Sequence, residues 1–259
     1  MPEVHHFTYG ILTPGFAYLM SFFGSLLGLS FAARARARAG RERARWLVGA
    51  AVAIGGTGIW VMHFIAMLGY TVSGVQIRYD IALTLISAVI AVVVVGVGLF
   101  IVGFLEPQAG PLLVGGLITG SGVAIMHYTG MAAMRVGATI HYNPKPVVLS
   151  VVIAVVAATA ALWAALWVRG LPATIGAALI MAFAVSGMHY TGMAAMEVHT
   201  QAHPAIPAGA GAMDLLLPLT LAVSMVTAAL VLLLGVSPNE SERQKEEQLL
   251  LRIAQRRAR

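Results

Sequence analysis

The sequence predicts an all-α integral membrane protein with seven transmembrane helices, built from three two-helix repeats plus a seventh helix. The first observation is composition: the 259 residues are 59% hydrophobic and 10% charged, whereas soluble domains are about 25% charged. The second is that seven apolar stretches each reach the roughly 20 residues that a helix needs to cross a bilayer. The third is a ten-residue block that recurs along the chain.

The same composition excludes several classes of protein. A soluble core could not bury this much apolar surface, which excludes a cytosolic enzyme and a disordered tail protein. Aromatic residues make up only 8% of the chain, so its apolar surface is aliphatic, unlike that of a β-barrel with aromatic girdles. The chain has no cysteine, which excludes disulfides, thiolate metal sites and cysteine nucleophiles.

The predicted spans are residues 12–33, 46–68, 81–104, 112–134, 147–168, 172–196 and 214–236. Asp80 and Asp214 stand at helix starts, where a carboxylate suits the positive end of the helix dipole. We therefore expect a seven-transmembrane domain over residues 7–236 and a short charged cytoplasmic tail over residues 237–259. Two interpretations of the tail stay open: a basic segment held near anionic lipid, and a helix for docking or dimerisation.

Basic residues predict the orientation of the chain. Thirteen of the sixteen Lys and Arg residues fall on one side of the spans, in the loop Arg34–Arg45, at Arg169 and in the C-terminal tail. The positive-inside rule places that side in the cytoplasm, so the N-terminus lies outside. The excess of basic residues therefore indicates how the chain is oriented in the membrane, rather than nucleic-acid binding. The first span lacks a basic segment before it and a cleavage site after it, so we expect it to be retained.

All eight histidines lie in the outer half of this topology. Three stand near the outer ends of the even-numbered spans: His63, His127 and His189. The other five lie in the N-terminal segment and the outer loops, where they are most simply polar residues without an assigned role: His5, His6, His141, His199 and His203.

The three histidines of the spans belong to an internal repeat. Residues 125–134 read IMHYTGMAAM, residues 187–196 read GMHYTGMAAM, and a weaker copy, VMHFIAMLGY, occupies residues 61–70. The histidines are 64 and 62 residues apart, which is the length of one helical hairpin. Such copies share direction and depth, so they can converge around a pseudo-threefold axis, whereas inverted transporter repeats would run in opposite directions.

Histidine and methionine recur in all three copies at helical spacing. Residues four apart share a helix face, which gives three pairs: His63 with Met67, His127 with Met131, and His189 with Met193. Imidazole and thioether ligands without thiolate or carboxylate favour copper, and thioether favours Cu(I). Zinc would more often use cysteine or carboxylate, and haem would need a gap as wide as its macrocycle. Ordinary packing of methionine and small residues is the alternative.

Other residues of the copies are candidates for additional or supporting roles. Met134 and Met196 extend the pairs by one more turn, and Met62, Met126 and Met188 precede the histidines, turned about 100° away from them. Tyr128 and Tyr190 are either hydrogen-bond donors around the ligands or anchors at the membrane interface.

The tetrapeptides at residues 126–129 and 188–191 both read MHYT, and residues 62–65 read MHFI. These motifs, at the outer ends of the second, fourth and sixth spans, resemble those of the MHYT domain, a bacterial membrane sensor domain, over residues 7–236. The resemblance implies the bacterial inner membrane, bound copper, and sensing of oxygen, carbon monoxide or nitric oxide. Members often carry cytoplasmic diguanylate cyclase or phosphodiesterase modules, whereas only a short tail follows the last span, so we expect a separate cytoplasmic signalling partner.

Two functions remain open at this stage. The first is a sensor or receptor whose outer copper centre binds a diatomic gas or changes redox state. The second is a copper carrier or donor, which would need ligands at successive depths, whereas the inner halves of the spans hold only the scattered Met20, Met181 and Met225. No catalytic constellation points to an enzyme. The expected partners are the lipid bilayer, a gas ligand and a signalling protein, with no nucleic acid; a homo-oligomer is open.

Overall fold

The computed structural model describes residues 4–5, 7–106, 108–200, 207–236 and 248–249. Its helices in chain order are α1 (Leu12–Arg36), α2 (Gly40–Leu68), α3 (Ile81–Phe104), α4 (Ala109–Ala133), α5 (Pro144–Trp167), α6 (Leu171–Met193) and α7 (Ala212–Val236). The first six are long and apolar enough to cross a membrane, and α7 contains the apolar segment Met225–Val236. Apart from residues 248–249, the expected tail lies outside the described residues.

Local sequence signals set several helix ends. α3 spans the predicted residues, and the Asp80 carboxylate caps it by accepting a hydrogen bond from the backbone N–H of Leu83. The α5 helix begins after Asn143, whose side chain accepts from the N–H of Lys145. Pro144 occupies the first position of α5, where its missing N–H costs nothing.

The prediction of a loop over Arg34–Arg45 is wrong, because most of these residues are helical. α1 continues to Arg36 and α2 begins at Gly40, so only residues 37–39 connect the two helices. Arginine is a good helix former, and guanidinium groups are favourable beside the negative ends of helices. Three of these arginines, which we call the arginine clamp, donate to backbone carbonyls near the C-terminal ends of other helices: Arg34 to Leu234, Arg36 to Ala165, and Arg43 to Gly103.

The α2 helix is the central element of the bundle. In its most apolar stretch of 18 residues, 78% of the residues are buried, against 22–44% in the corresponding stretches of the other five helices of membrane-spanning length. Small residues let it approach its neighbours: a Cβ on Gly24 of α1 would lie 2.3 Å from the backbone nitrogen of Gly58. The middle of α2, Val52–Val61, is π-helical, a form that often marks functional sites. By contrast, large apolar side chains such as Val156, Ile180 and Phe183 are exposed, as lipid-facing residues are.

Short strands cover the end of the bundle that carries the motifs. They are β1 (Val4–His5), β2 (Thr71–Val72), β3 (Ile77–Tyr79), β4 (Met134–Val136), β5 (Ala138–Tyr142), β6 (Met196–Thr200) and β7 (Ala210–Gly211). They pair antiparallel as β1–β2, as β4–β3–β7 and as β5–β6. From the sequence, only helices and outer loops are predicted here. The strands form because the connections after α2, α4 and α6 emerge side by side.

Candidate functional site

The structure brings the three motif histidines together in the interior. His63 lies on α2, His127 on α4 and His189 on α6, and each side chain is 1% exposed. The Nδ1 atom of His63 lies 3.0 Å from that of His189 and 3.1 Å from that of His127. We call these residues the histidine triad. Among the described residues they form the one group of three or more His, Asp or Glu side chains close enough to hold one metal ion.

The triad has the near-threefold geometry that the repeat predicts. The three pairs of ring centroids are 4.9, 5.0 and 5.1 Å apart. The corresponding rings are inclined by 84°, 81° and 88°, so each imidazole stands almost perpendicular to the other two. One edge of each ring faces the common centre.

The opposite edges of two rings pack against glycines of the next motif copy. A Cβ on Gly130 would lie 2.4 Å from Nε2 of His63, and one on Gly192 would lie 2.3 Å from Nε2 of His127. Each ring therefore occupies space that is free only because the neighbouring residue is a glycine. Among the small residues of the motif, whose ordinary packing was the alternative to metal binding, the sequence did not single out Gly130. Its recurrence in the repeat was the available signal, although the first copy has Ala66 at this position.

Hydrogen bonding alone does not satisfy the triad. The Nε2 atoms of all three histidines are buried and have no hydrogen-bond partner among the described residues. A neutral imidazole carries one N–H and one lone pair. If Nε2 carries the proton in each ring, three Nδ1 lone pairs point at one small volume, which is repulsive unless a cation occupies it. The Nδ1 atom of His63 faces the Nδ1 atoms of both other histidines. Its single proton or lone pair can form a full hydrogen bond with only one of them.

The dimensions of the triad fit a small metal ion. Metal–imidazole bonds of about 2.0–2.1 Å place three ligands in a plane about 3.5 Å apart. The observed separations of 3.0 and 3.1 Å are a few tenths of an ångström shorter. A slight outward movement of the rings would reach the metal-bound spacing. The described cluster contains no carboxylate, so the donor set is neutral.

The structure buries the eight methionines of the three copies. Met67, Met131 and Met193, which share a helix face with the triad, are 0–3% exposed. The others are also buried in the apolar core, which contains Met62, Met126, Met188, Met134 and Met196. Burial suits both packing and ligation, so a role of these thioethers as ligands stays a prediction.

The motif tyrosines flank the triad without hydrogen-bonding to it. The rings of Tyr128 and Tyr190 each stand edge-on to the preceding histidine, with centroids 5.0 Å apart. The hydroxyl of Tyr128 hydrogen-bonds with that of Ser150 on α5 at 2.8 Å. The ring of Tyr190 contacts that of Phe7, 5.6 Å away. These contacts tie α4 to α5, and α6 to the N-terminal segment.

Three groups in the connections at the motif end of the bundle have shifted pKa values. Burial raises the pKa of Tyr70 to about 12, and it also raises that of Tyr79 well above its usual value. Arg135 donates to the Asp80 carboxylate, which lowers the pKa of Asp80. This ion pair links the start of α3 to β4, directly after the motif of α4. The cover of the site thus combines neutral phenols with one ion pair.

The two other histidines whose side chains are described are not part of the triad. His141 and His199 lie exposed on the paired strands β5 and β6. Only the backbone of His5 is described, and His6 and His203 lie outside the described residues.

Comparison with known proteins gives a consistent result. The family model described as "MHYT: Bacterial signalling protein N terminal repeat" matches three times, at residues 56–115, 120–178 and 183–243. The first two matches each begin in one motif-bearing helix and end in the next, and the third begins in α6 and ends past residue 236. The matched unit therefore has the predicted period but begins one helix later than the predicted pairs. No solved structure matches the chain significantly.

Relatives are signalling proteins. The chain is 37% identical over 195 residues, 73% of its length, to the bifunctional diguanylate cyclase/cyclic di-GMP phosphodiesterase MucR of Pseudomonas aeruginosa, of which it covers 28%. It is 33% identical to the cyclic di-GMP phosphodiesterase NbdA of the same species over 75% of this chain and 25% of that protein. Signaling protein YkoW of Bacillus subtilis is 28% identical over 77% of this chain and 25% of that protein. The chain spans about a quarter of the length of these relatives.

The family repeats cover more than half of the chain, and each of the three matches contains one buried motif histidine. With six apolar helices of membrane-spanning length, the chain belongs to the MHYT family and is a multi-pass protein of the bacterial inner membrane.

Proposed function

We propose that this chain is a membrane sensor domain that holds one copper ion in the histidine triad. The observation that carries the proposal is the convergence of three buried Nδ1 atoms, two of the separations being 3.0 and 3.1 Å, with unpartnered Nε2 atoms behind them. Bound copper would supply a redox-active centre able to bind oxygen, carbon monoxide or nitric oxide. The relatives, whose printed names describe cyclic di-GMP enzymes and a signalling protein, support a signalling role.

The charge of the site favours Cu(I) over a divalent ion. Burying an uncompensated charge is costly, and the cost rises steeply with the size of the charge. The described residues provide no carboxylate beside the triad. A monovalent ion held by neutral imidazoles therefore costs less than Zn²⁺ or Cu²⁺ would. Thioether sulfur from Met67, Met131 or Met193 would favour the same oxidation state, because soft ligands prefer Cu(I).

We further propose seven spans, with the N-terminus outside and the arginine clamp in the cytoplasm. The excess of Lys and Arg on one side supports this orientation. The α7 helix has 25 residues and would form the seventh span. The triad then lies toward the periplasmic end of the bundle, on the side from which external copper would enter.

In this proposal, α2 transmits the signal between the triad and the arginine clamp at the opposite end of the bundle. It carries His63 near one end and Arg43 near the other. Its π-helical middle segment allows a change in winding between them. A shift of the His63 ring on gas binding or oxidation would move α2 against α4. The contact of Arg43 with Gly103 would carry that movement to α3.

A copper carrier or donor is the second candidate. It needs ligands along a path, and the arrangement of methionines in the inner half argues against one. Met181 is buried, but Met225 is 72% exposed and faces away from the core. A fixed site explains this distribution better than a route through the bundle does.

Metal analysis of the purified chain tests the proposed function. We expect one copper per chain after reconstitution with Cu(I), and none bound tightly in the His63→Gln/His127→Gln/His189→Gln variant. Glutamine retains polarity and much of the volume of histidine. The matched control is His203→Gln, which changes a histidine outside the triad and should leave the tightly bound copper unchanged. Equal copper content in the triple variant and the unaltered chain would reject the proposal.

A further inference from the structure

The outer face of the β5–β6 ribbon carries two histidines and a glutamate, which are residue types that bind metal ions. Its register pairs His141 with Glu197 and Thr139 with His199. Side chains of directly paired residues share a face of a ribbon, and residues two apart on one strand do so as well. His141, Glu197 and His199 therefore project from the same face, and all three are exposed.

The other face of the ribbon is fixed to the protein. Met196 and Val198 alternate with the exposed residues and are 8% and 7% exposed. The ring of Tyr142, at the end of β5, packs 5.9 Å from that of Tyr128, which neighbours the triad. The ribbon is therefore held in register, and its outer side chains occupy defined positions rather than those of a free loop.

The two imidazoles are already in contact. The ring centroids of His141 and His199 are 5.4 Å apart, with the ring planes at 87°. Glu197 lies between them in the register, directly opposite His141 and two residues before His199. Directly opposed Cβ atoms are about 4.5–5.5 Å apart. As the side chains stand, their ligand atoms are not all within the 4.8 Å that the triad satisfies, so the side chains have to rotate to bring two nitrogens and one carboxylate oxygen to one point.

We propose that His141, His199 and Glu197 form a solvent-facing site for a divalent transition-metal cation, Cu²⁺ or Zn²⁺. Imidazole and carboxylate bind both ions, and water can complete the coordination of an exposed site. This donor set contrasts with the triad, which is buried, neutral and suited to Cu(I). The site lies outside the repeated motif, and its existence does not depend on metal in the triad.

A metal ion bound at this site would restrain the strands at the motif end of the bundle. A metal held by both strands cross-links β5, which follows α4, to β6, which follows α6. These two helices carry His127 and His189. Occupation of the outer site would therefore restrain the relative movement of two of the three triad helices.

The test compares metal uptake by the full chain and its His141→Gln/His199→Gln variant. Cu²⁺ and Zn²⁺ salts are the probes, followed by calorimetry and, for Cu²⁺, by electron paramagnetic resonance. We expect the unaltered chain to take up one more divalent ion than the double variant, with a spectrum of nitrogen-coordinated exposed Cu²⁺ that the double variant lacks. Equal uptake and equal spectra for the two proteins would overturn the proposal.

Controls separate ligation from damage to the ribbon. Thr139→Val changes the same face without removing a ligand, so it should bind as the unaltered chain does, while Glu197→Gln should bind more weakly. If Thr139→Val loses the ion as completely as the double variant does, ribbon integrity explains the loss and the proposal fails. The triple variant of the triad should retain the outer ion, so failure of either site is detected without reference to the other.

Discussion

The Nε2 atom of His63 lies over Gly130, at a position where a Cβ would come within 2.4 Å of it. This contact joins the first motif copy to the second, because His63 belongs to α2 and Gly130 to α4. His127 and Gly192 repeat it between the second and third copies. The recurring glycine therefore sets how deeply each imidazole enters the interior and where its Nδ1 atom points.

Substitution of Gly130 by alanine should displace the His63 ring. The added methyl group cannot fit beside a packed imidazole, and overpacking of this kind typically costs about 1–3 kcal/mol. We expect Gly130→Ala to lower both the copper content and the thermal midpoint of the purified protein. Gly187→Ala is the matched control, because a Cβ there meets nothing within 4 Å. Unchanged copper content in Gly130→Ala would show that the glycine does not position the ring.

Membrane orientation gives a prediction that is independent of metal. Reporter fusions at Gly40 and at the C-terminus should both report a cytoplasmic location, because the excess of basic residues lies on that side. A fusion at Gly74 should report the periplasm. Gly74 lies in the connection between α2 and α3, and a Cβ there meets nothing within 4 Å. A periplasmic signal at Gly40 would reverse the proposed topology.

The arginine clamp should contribute to stability beyond its effect on orientation. Arg36 donates to the carbonyls of Ala165 and Val168 near the end of α5, and hydrogen bonds from charged groups contribute about 1.5–3 kcal/mol. We expect Arg36→Gln to lower the thermal midpoint in detergent. Arg41→Gln removes the same charge from an exposed position and should leave it unchanged. Equal midpoints for the two variants would mean that the carbonyl contacts add nothing.

The convergence of the triad can be predicted from the sequence, but the packing around it cannot. A shared period of one hairpin is enough to place His63, His127 and His189 at one depth, because equivalent helices then run in the same direction. The register between neighbouring helices is not a property of a single repeat, so the contact of His63 with Gly130 is visible only in three dimensions. The arginine clamp was missed for a similar reason, since its acceptors lie 60 to 200 residues away along the chain. The strands of the cover are too short to leave a pattern of alternation.

The methionines provide the sharpest distinction between ligation and packing. Met131 and Met193 are 0% and 3% exposed, and exchange of methionine for leucine in a core usually costs less than about 1.5 kcal/mol. If these residues only pack, the Met131→Leu/Met193→Leu protein should fold and bind copper as before. If their sulfur atoms are ligands, Cu(I) affinity should fall, because leucine offers no lone pair to a soft metal.

We expect the second result: a folded, monodisperse double variant with weakened Cu(I) binding. Affinity is measured by competition with a Cu(I) chelator, and monodispersity by gel filtration. Met225→Leu is the control, since this methionine is 72% exposed and far along α7 from the motif end. Unchanged affinity in the double variant would remove the thioethers from the site and leave copper held by the three imidazoles. In that case the triad alone would have to explain any preference for Cu(I), through the absence of a compensating negative charge.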